Sequence, residues 1–182
     1  MRPALLFRIR AKINCLPVSP YGVTKLAGEH LARAHQEIFG TPVVVLRFFS
    51  VYGPRQRPDM AYNIFMRALL NGSPITVFGD GQQVRGNTYV SDCVAAVVAA
   101  GSATVGETFN VGGGEMVSVI DILRKLEAIS GKKFDVRTEA GRAGDQRHTF
   151  ADTTKLRRNL GWEPNISLDD GLLRQWTWQR SL

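Results

Sequence analysis

A tyrosine and a lysine four residues apart, Tyr21 and Lys25, stand in the segment Ser19-Pro20-Tyr21-Gly22-Val23-Thr24-Lys25. On a helix, residues four apart share a face. A lysine ammonium held close to a phenol favours the phenolate. A tyrosine in that setting can serve as general base or general acid near neutral pH. For the spacing alone, an unreactive Tyr/Lys pair on a solvated face is the commoner outcome. The elements around the pair therefore decide its meaning.

Ser19 followed by Pro20 is a helix start, a capping residue and then proline at the first helical position. The pattern predicts a helix from Pro20 to about Phe39, stopped at Gly40. Thr41 to Phe49 is β-branched and almost wholly apolar, which predicts a strand buried on both faces. A loop with Gly53, Pro54 and Pro58 follows, then a helix over Ala61 to Leu70, with Asn71-Gly72 as its stop. A short strand is predicted over Ile75 to Phe78, and Gly79-Asp80-Gly81 reads as a turn rather than a phosphate cradle.

Arg85 to Val90 reads as extended, and Ser91 or Asp92 as the cap of an Ala/Val-rich helix to about Ala100. A strand over Thr108 to Val111 runs into Gly112-Gly113-Gly114. Ser118 is read as the cap of a helix ending at Ser130, with Gly131 as its stop. A strand is expected over Phe134 to Arg137, and a short helix capped by Asp152 to Leu160. A last helix covers roughly Leu168 to Arg180. Alternating strands and helices point to an α/β protein with a largely parallel sheet.

Composition narrows the function classes. The 182 residues are 44% hydrophobic, enough for one domain with a core. No apolar run has the length of a membrane span. The N-terminal apolar stretch is only Ala4 to Phe7, too short for a signal peptide, so the cytoplasm is the expected location. Cys15 and Cys93 make neither a disulfide framework nor a metal motif, and Cys93 is expected to be a small buried hydrophobe. His30 and His35 are five apart, which is wrong for two ligands on one helix face. The net charge of +7 comes from scattered Lys and Arg without a basic block. An anionic small-molecule substrate explains several of the arginines as well as nucleic acid does, so charge alone does not decide between them.

With these elements in place, SPYGVTKLAGE, RFFSVYGPRQRPDMA, GDGQQVR, TYVSD, FNVGGGE, GRAGDQRHTFADTTK, LGWEP and SLDDGL follow one another. In order and spacing they resemble the extended short-chain dehydrogenase/reductase family of NAD-dependent nucleotide-sugar epimerases and dehydratases. The resemblance runs from about Pro17 to Leu182, with 1–16 atypical. The RPDMA and GDGQQVR segments look most like UDP-glucose 4-epimerases. The fold implied is the C-terminal part of a Rossmann-type parallel sheet plus the small substrate-binding α/β domain.

By that resemblance Tyr21 is the catalytic base and Lys25 its partner, which also holds the ribose of NAD. Phe48 lies in the segment beside the nicotinamide. Ser50, Arg85 and Arg142 are the substrate-binding residues, the two arginines gripping the diphosphate of a UDP-hexose. A guanidinium suits that task through its planar fork. The implied reaction passes through a 4-keto sugar. Readings that share the scaffold are a nucleotide-sugar dehydratase or decarboxylase, and a non-catalytic nucleotide-sugar-binding pseudoenzyme. Four positions depart from the family pattern. Ser50 stands where asparagine is usual, Gly86-Asn87 where aspartate and an aromatic are usual, and Ala143 where proline is usual.

The glycine-rich strand–turn–helix fingerprint of a dinucleotide site is not in the sequence. Gly112-Gly113-Gly114 has the wrong spacing. The resemblance thus implies a truncated member holding the catalytic pair without the half that binds NAD. Its relatives are commonly dimers through two long helices, of which Pro20 to Phe39 would be one. Burial of each Leu- or Val-sized side chain contributes roughly 1.5–3 kcal/mol, so a missing half removes a large part of the usual stability. The isolated chain is therefore expected to be weakly stable, or to associate with a copy of itself or with a complementary N-terminal half. Sedimentation combined with urea unfolding tests this, and a cooperative monomer with a high midpoint would contradict it.

Overall fold

The computed structural model describes residues 8–9, 16–17, 19–141 and 147–182. Helix α1 (Pro20–Phe39) begins as its sequence dictates. The Ser19 side chain accepts from the Gly22 N–H at 3.1 Å, and Gly40 closes the helix in the left-handed conformation at φ 67°. Helices α2 (Ala61–Asn71), α4 (Val119–Ser130) and α6 (Leu168–Arg180) also fall where the sequence pattern puts them. So does α5 (Thr154–Leu160), except that its N-cap is Thr153 rather than Asp152, whose carboxylate accepts from the Thr154 N–H at 3.1 Å.

The strands are β1 (Arg8–Ile9), β2 (Val45–Phe48), β3 (Ser50–Tyr52), β4 (Ile75–Phe78) and β5 (Val84–Tyr89), then β6 (Thr108–Val111), β7 (Met116–Ser118), β8 (Val136–Glu139) and β9 (His148–Ala151). Every ladder is parallel except β5 with β7. One sheet runs β1-β9-β5-β3, with β7 also on β5, while β2 pairs β6 and β4 pairs β8. This is the α/β architecture with parallel strands that the alternating pattern predicts.

Three further expectations need correction. The strand expected over Thr41 to Phe49 and buried on both faces is shorter and largely half-buried, with Phe48 exposed. It pairs with β6 in parallel register, Val45 opposite Thr108, and then changes partner. Neither Ser91 nor Asp92 caps α3 (Val90–Ala100), whose N-cap is Tyr89. Asp92 lies in the first turn and is buried, its carboxylate accepting from the Asn165 and Ile166 N–H groups at 3.1 and 3.2 Å. The strand expected at Phe134 begins instead at Val136, and Phe134 packs edge-on against Phe65. Gly86 and Asn87 do not interrupt β5, which runs through both.

Two apolar clusters carry the packing. One joins α2, α4 and α6 through Met66, Leu69, Leu126, Leu172 and Trp176. The other joins α3, β6 and α5 through Ala96, Phe109, Val111 and Leu156, with Cys93 among them. Burial, with Asp92 next, pushes the Cys93 thiol up to about 11, so it stays protonated near neutral pH. None of the residues of α1 is buried, and Leu31, Ile38 and Phe39 stand exposed on it. No helix among the described residues is long and apolar enough to cross a membrane.

Helix α6 approaches β3 closely beside the first cluster. A Cβ at Gly171 would lie 2.3 Å from the Tyr52 hydroxyl and 2.8 Å from its ring. Tyr52 cannot retreat, because Tyr62 and Tyr89 pack edge-on against it with centroids at 5.3 and 5.5 Å. Alanine is the better helix former by about 1 kcal/mol. Even so, Gly171→Ala is expected to destabilise the fold by about 1–3 kcal/mol through overpacking, read as a lowered urea midpoint at unchanged m-value.

Candidate functional site

Tyr21 opens α1 and is 72% exposed. The Lys25 ammonium lies over its ring, 5.3 Å from the centroid. Residues continuing at the same spacing fasten the helix. The Glu29 carboxylate accepts two bonds from the Arg47 guanidinium, each 2.7 Å, with both side chains mostly buried. Arg33 donates to the Thr108 hydroxyl at 2.6 Å. The helix that carries Tyr21 is thus bonded to β2 and β6 by side-chain polar groups about one to three turns further along it.

Beyond β2 the chain stays extended while its pairing changes. The Phe49 N–H still donates to Val111, at 3.0 Å. From Ser50 onward the partner is β5, with Ser50 opposite Asn87. That exchange brings Ser50 and Arg85 to the walls of one cavity of ≈ 190 Å³, together with Gln56, Tyr62, Gln83 and Asn87. Arg85 is half-buried, and its Nη1 donates to the Val84 carbonyl at 3.2 Å. The Tyr62 hydroxyl is buried with no hydrogen-bond partner among the described residues. Burial, with Tyr52 adding to it, raises its pKa well above the ordinary phenol value, so it stays a neutral hydroxyl.

Of the six residues singled out from sequence, the structure brings Ser50 and Arg85 together and sets Lys25 against Tyr21. Phe48, two residues before Ser50, is exposed at the end of β2. Tyr21, Lys25 and Phe48 do not line the cavity. Arg142 lies outside the described residues.

The loop between β3 and α2 contributes residues to which the sequence reading gave no role. Gln56 lines the cavity. Arg57 is bonded to Asp59 at 2.7 Å on the surface. The Asp59 hydrogen bond, with the Asp59 charge next, holds the guanidinium above its usual value. The only sequence signal for these residues was their place in RFFSVYGPRQRPDMA. Gln83 was legible only as part of GDGQQVR, and Asn87 only as a departure from the family pattern beside Arg85.

With this geometry in view, comparisons with known proteins give consistent matches. The family model for GDP-mannose 4,6 dehydratase matches residues 9–175. The chain is 46% identical over 177 residues to an uncharacterized UDP-glucose epimerase, YtcB, of Bacillus subtilis, covering 96% of this chain and 56% of that protein. Among solved structures, a UDP-glucuronic acid 4-epimerase from Bacillus cereus, in complex with UDP-glucuronic acid and NAD, superposes with a TM-score of 0.90. It is 41% identical, and the match covers 96% of this chain and 56% of that one. The UDP-glucose 4-epimerase of Thermotoga maritima, with UDP-glucose, gives a TM-score of 0.85 at 36% identity, covering 91% and 55%. The chain spans about half the length of the relatives it matches.

The polar fastening of α1 yields a quantitative expectation. Glu29→Ala strips two charge-assisted bonds from Arg47 in a mostly buried setting and is expected to cost about 2 kcal/mol in urea unfolding. Asp59→Ala removes a fully exposed pair and is expected to leave the midpoint unchanged.

Proposed function

The chain belongs to the NAD-dependent epimerase/dehydratase family of extended short-chain dehydrogenases/reductases, and from that premise we propose that it carries the proton-transferring and nucleotide-sugar-binding parts of a UDP-sugar 4-epimerase. One observation supports the reading above the others. Ser50 and Arg85 face one cavity because β3 and β5 pair in register, at the end of the extended segment to which the Tyr21 helix is bonded.

In this reading Arg85 grips the substrate diphosphate, joined by Arg142, and Ser50 donates one hydrogen bond to the substrate. Tyr21 accepts the proton of the sugar hydroxyl and returns it after the keto sugar has turned. Lys25 steadies the charge on the phenol and offers its ammonium to the cofactor ribose. Phe48 lies beside the nicotinamide.

The residues present fit the reacting end of NAD. The phenol is exposed, and the Lys25 ammonium makes no hydrogen bond or ion pair among the described residues. NAD, when bound, supplies the acceptor and donor of hydride. We propose that the dinucleotide-binding surface meets the exposed face of α1, whether it belongs to the same polypeptide or to another.

A second reading, a nucleotide-sugar dehydratase on the same scaffold, is favoured by the description of the matching family model. Product analysis separates the two, because an epimerase returns a sugar with all its hydroxyls and a dehydratase loses water. A non-catalytic binding module would take up UDP-sugar without turnover.

Calorimetry with UDP-glucose and UDP-glucuronic acid, in the absence of NAD⁺, is expected to show binding. Arg85→Ala is expected to weaken it about 10–100-fold, the range for a lost hydrogen bond to a charged group. With the NAD-binding half and NAD⁺ supplied, conversion of UDP-glucose to UDP-galactose is expected, and it is expected to vanish in Tyr21→Phe. Turnover unchanged by that substitution would remove Tyr21 from its role, and wild-type affinity in Arg85→Ala would remove Arg85.

A further inference from the structure

The cavity wall contributed by the loop after β3 is held from outside the cavity. Gln175, on α6, is fully buried and does not line the cavity. Its Oε1 accepts from the Gly53 N–H at 2.9 Å, and its Nε2 donates to Gln56 Oε1 at 3.0 Å. Gln56 passes the constraint on. Its Oε1 also accepts from the Asn63 N–H at 3.1 Å, and its Nε2 donates to the Val51 carbonyl at 2.9 Å. Its own carbonyl accepts from Asn63 Nδ2 at 2.8 Å. Two side-chain amides thus join β3, the loop, the first turn of α2 and the C-terminal helix.

The loop needs such a constraint. Gly53 sits at φ 138°, a conformation that L side chains rarely adopt, and Arg55 at φ 64° is the only non-glycine residue with positive φ among those described. Backbone in these regions persists where its surroundings over-determine it. Gly53 is also buried, so its N–H has to find a partner within the protein, and Gln175 supplies it. An amide is well matched to this position because it accepts and donates at once.

We propose that Gln175 is a positioning residue for the nucleotide-sugar site: through Gln56 it fixes the loop from Gly53 to Met60 in the shape that forms one wall of the cavity. The inference rests on the nucleotide-sugar reading of that cavity. It makes α6, distant in sequence and absent from the cavity wall, a determinant of substrate affinity.

The test is Gln175→Met in the full chain, a replacement of similar length and volume without the amide. Two quantities are measured well below the melting midpoint: hydrogen exchange at the Gly53 and Asn63 amides, and calorimetric affinity for UDP. Leu172→Ala, equally buried on α6 but not bonded to the loop, is the control for general destabilisation. Gln175→Met is expected to speed exchange at both amides about tenfold and to weaken UDP binding about tenfold, the scale of one lost buried hydrogen bond. Leu172→Ala is expected to lower the midpoint while leaving UDP affinity as it is.

Unchanged exchange in Gln175→Met would overturn the clamp. Faster exchange with wild-type affinity, or equal losses of affinity in both variants, would reduce Gln175 to a packing residue. Should Gln175→Met fail to fold, Gln175→Glu keeps an oxygen for Gly53 and loses the donor to Gln56. It is then expected to loosen Asn63 and weaken UDP binding while Gly53 stays protected, and wild-type values for both would overturn the proposal. If the unaltered chain does not bind UDP, the nucleotide reading of the cavity fails and this role for Gln175 falls with it, while exchange at Gly53 and Asn63 still decides separately whether Gln175 holds the loop.

Discussion

One extended stretch of backbone, residues 45–52, has to satisfy two sets of strands in succession, and the site depends on how it does so. Backbone N–H and C=O groups in the interior must be paired. From Val45 to Phe49 the partner is β6, and from Ser50 to Tyr52 it is β5. The change falls between Phe49 and Ser50. The residues before it meet the helix that bears Tyr21, through Arg47 and Glu29. The residues after it face Arg85 and the cavity. A one-residue slip in either ladder would turn every side chain on this stretch to the opposite face.

The fastening of α1 follows a different logic from the rest of the fold. The other long helices are held by apolar side chains in the two clusters, whereas α1 has no buried residue and is bonded by Glu29 and Arg33. Tyr21, Lys25, Glu29 and Arg33 recur every four residues, so they form one slowly turning stripe. The stripe runs from the exposed Tyr21 to the mostly buried Glu29, so the groups that bond the sheet follow the groups proposed to do chemistry by about one to three turns. Directional bonds set the helix's rotation, while its apolar side chains Leu31, Ile38 and Phe39 are left exposed.

Much of this was legible in the sequence because local chemistry decides it. Ser19 and Ser118 each cap a helix with their hydroxyl, and Gly40, Gly72 and Gly131 end one in the left-handed conformation. Where tertiary partners decide, the reading failed. Asp92 has the look of an N-cap, yet it is turned toward backbone N–H groups more than seventy positions away. β7 and β9 are short and exist because β5 offers them edges. Tyr21 and Lys25 stood out through spacing and context. Gln56 and Gln175 did not, since a glutamine 119 positions from its partner leaves no local pattern.

Asp92 also shows how the two apolar clusters are kept in fixed relation. Its carbonyl accepts from the Trp162 indole at 2.9 Å, within the cluster of α3, β6 and α5. Its carboxylate takes the N–H groups of Asn165 and Ile166, which lead into α6 and the other cluster. A buried carboxylate with two backbone donors is well compensated, whereas an unpaired one is costly. Apolar contacts alone would let the clusters slide, because dispersion and burial have little directionality. Three directional bonds at one residue do not. The position of α6 is thereby set against β6 and β2, and through Gln175 and Gln56 that position reaches the cavity wall.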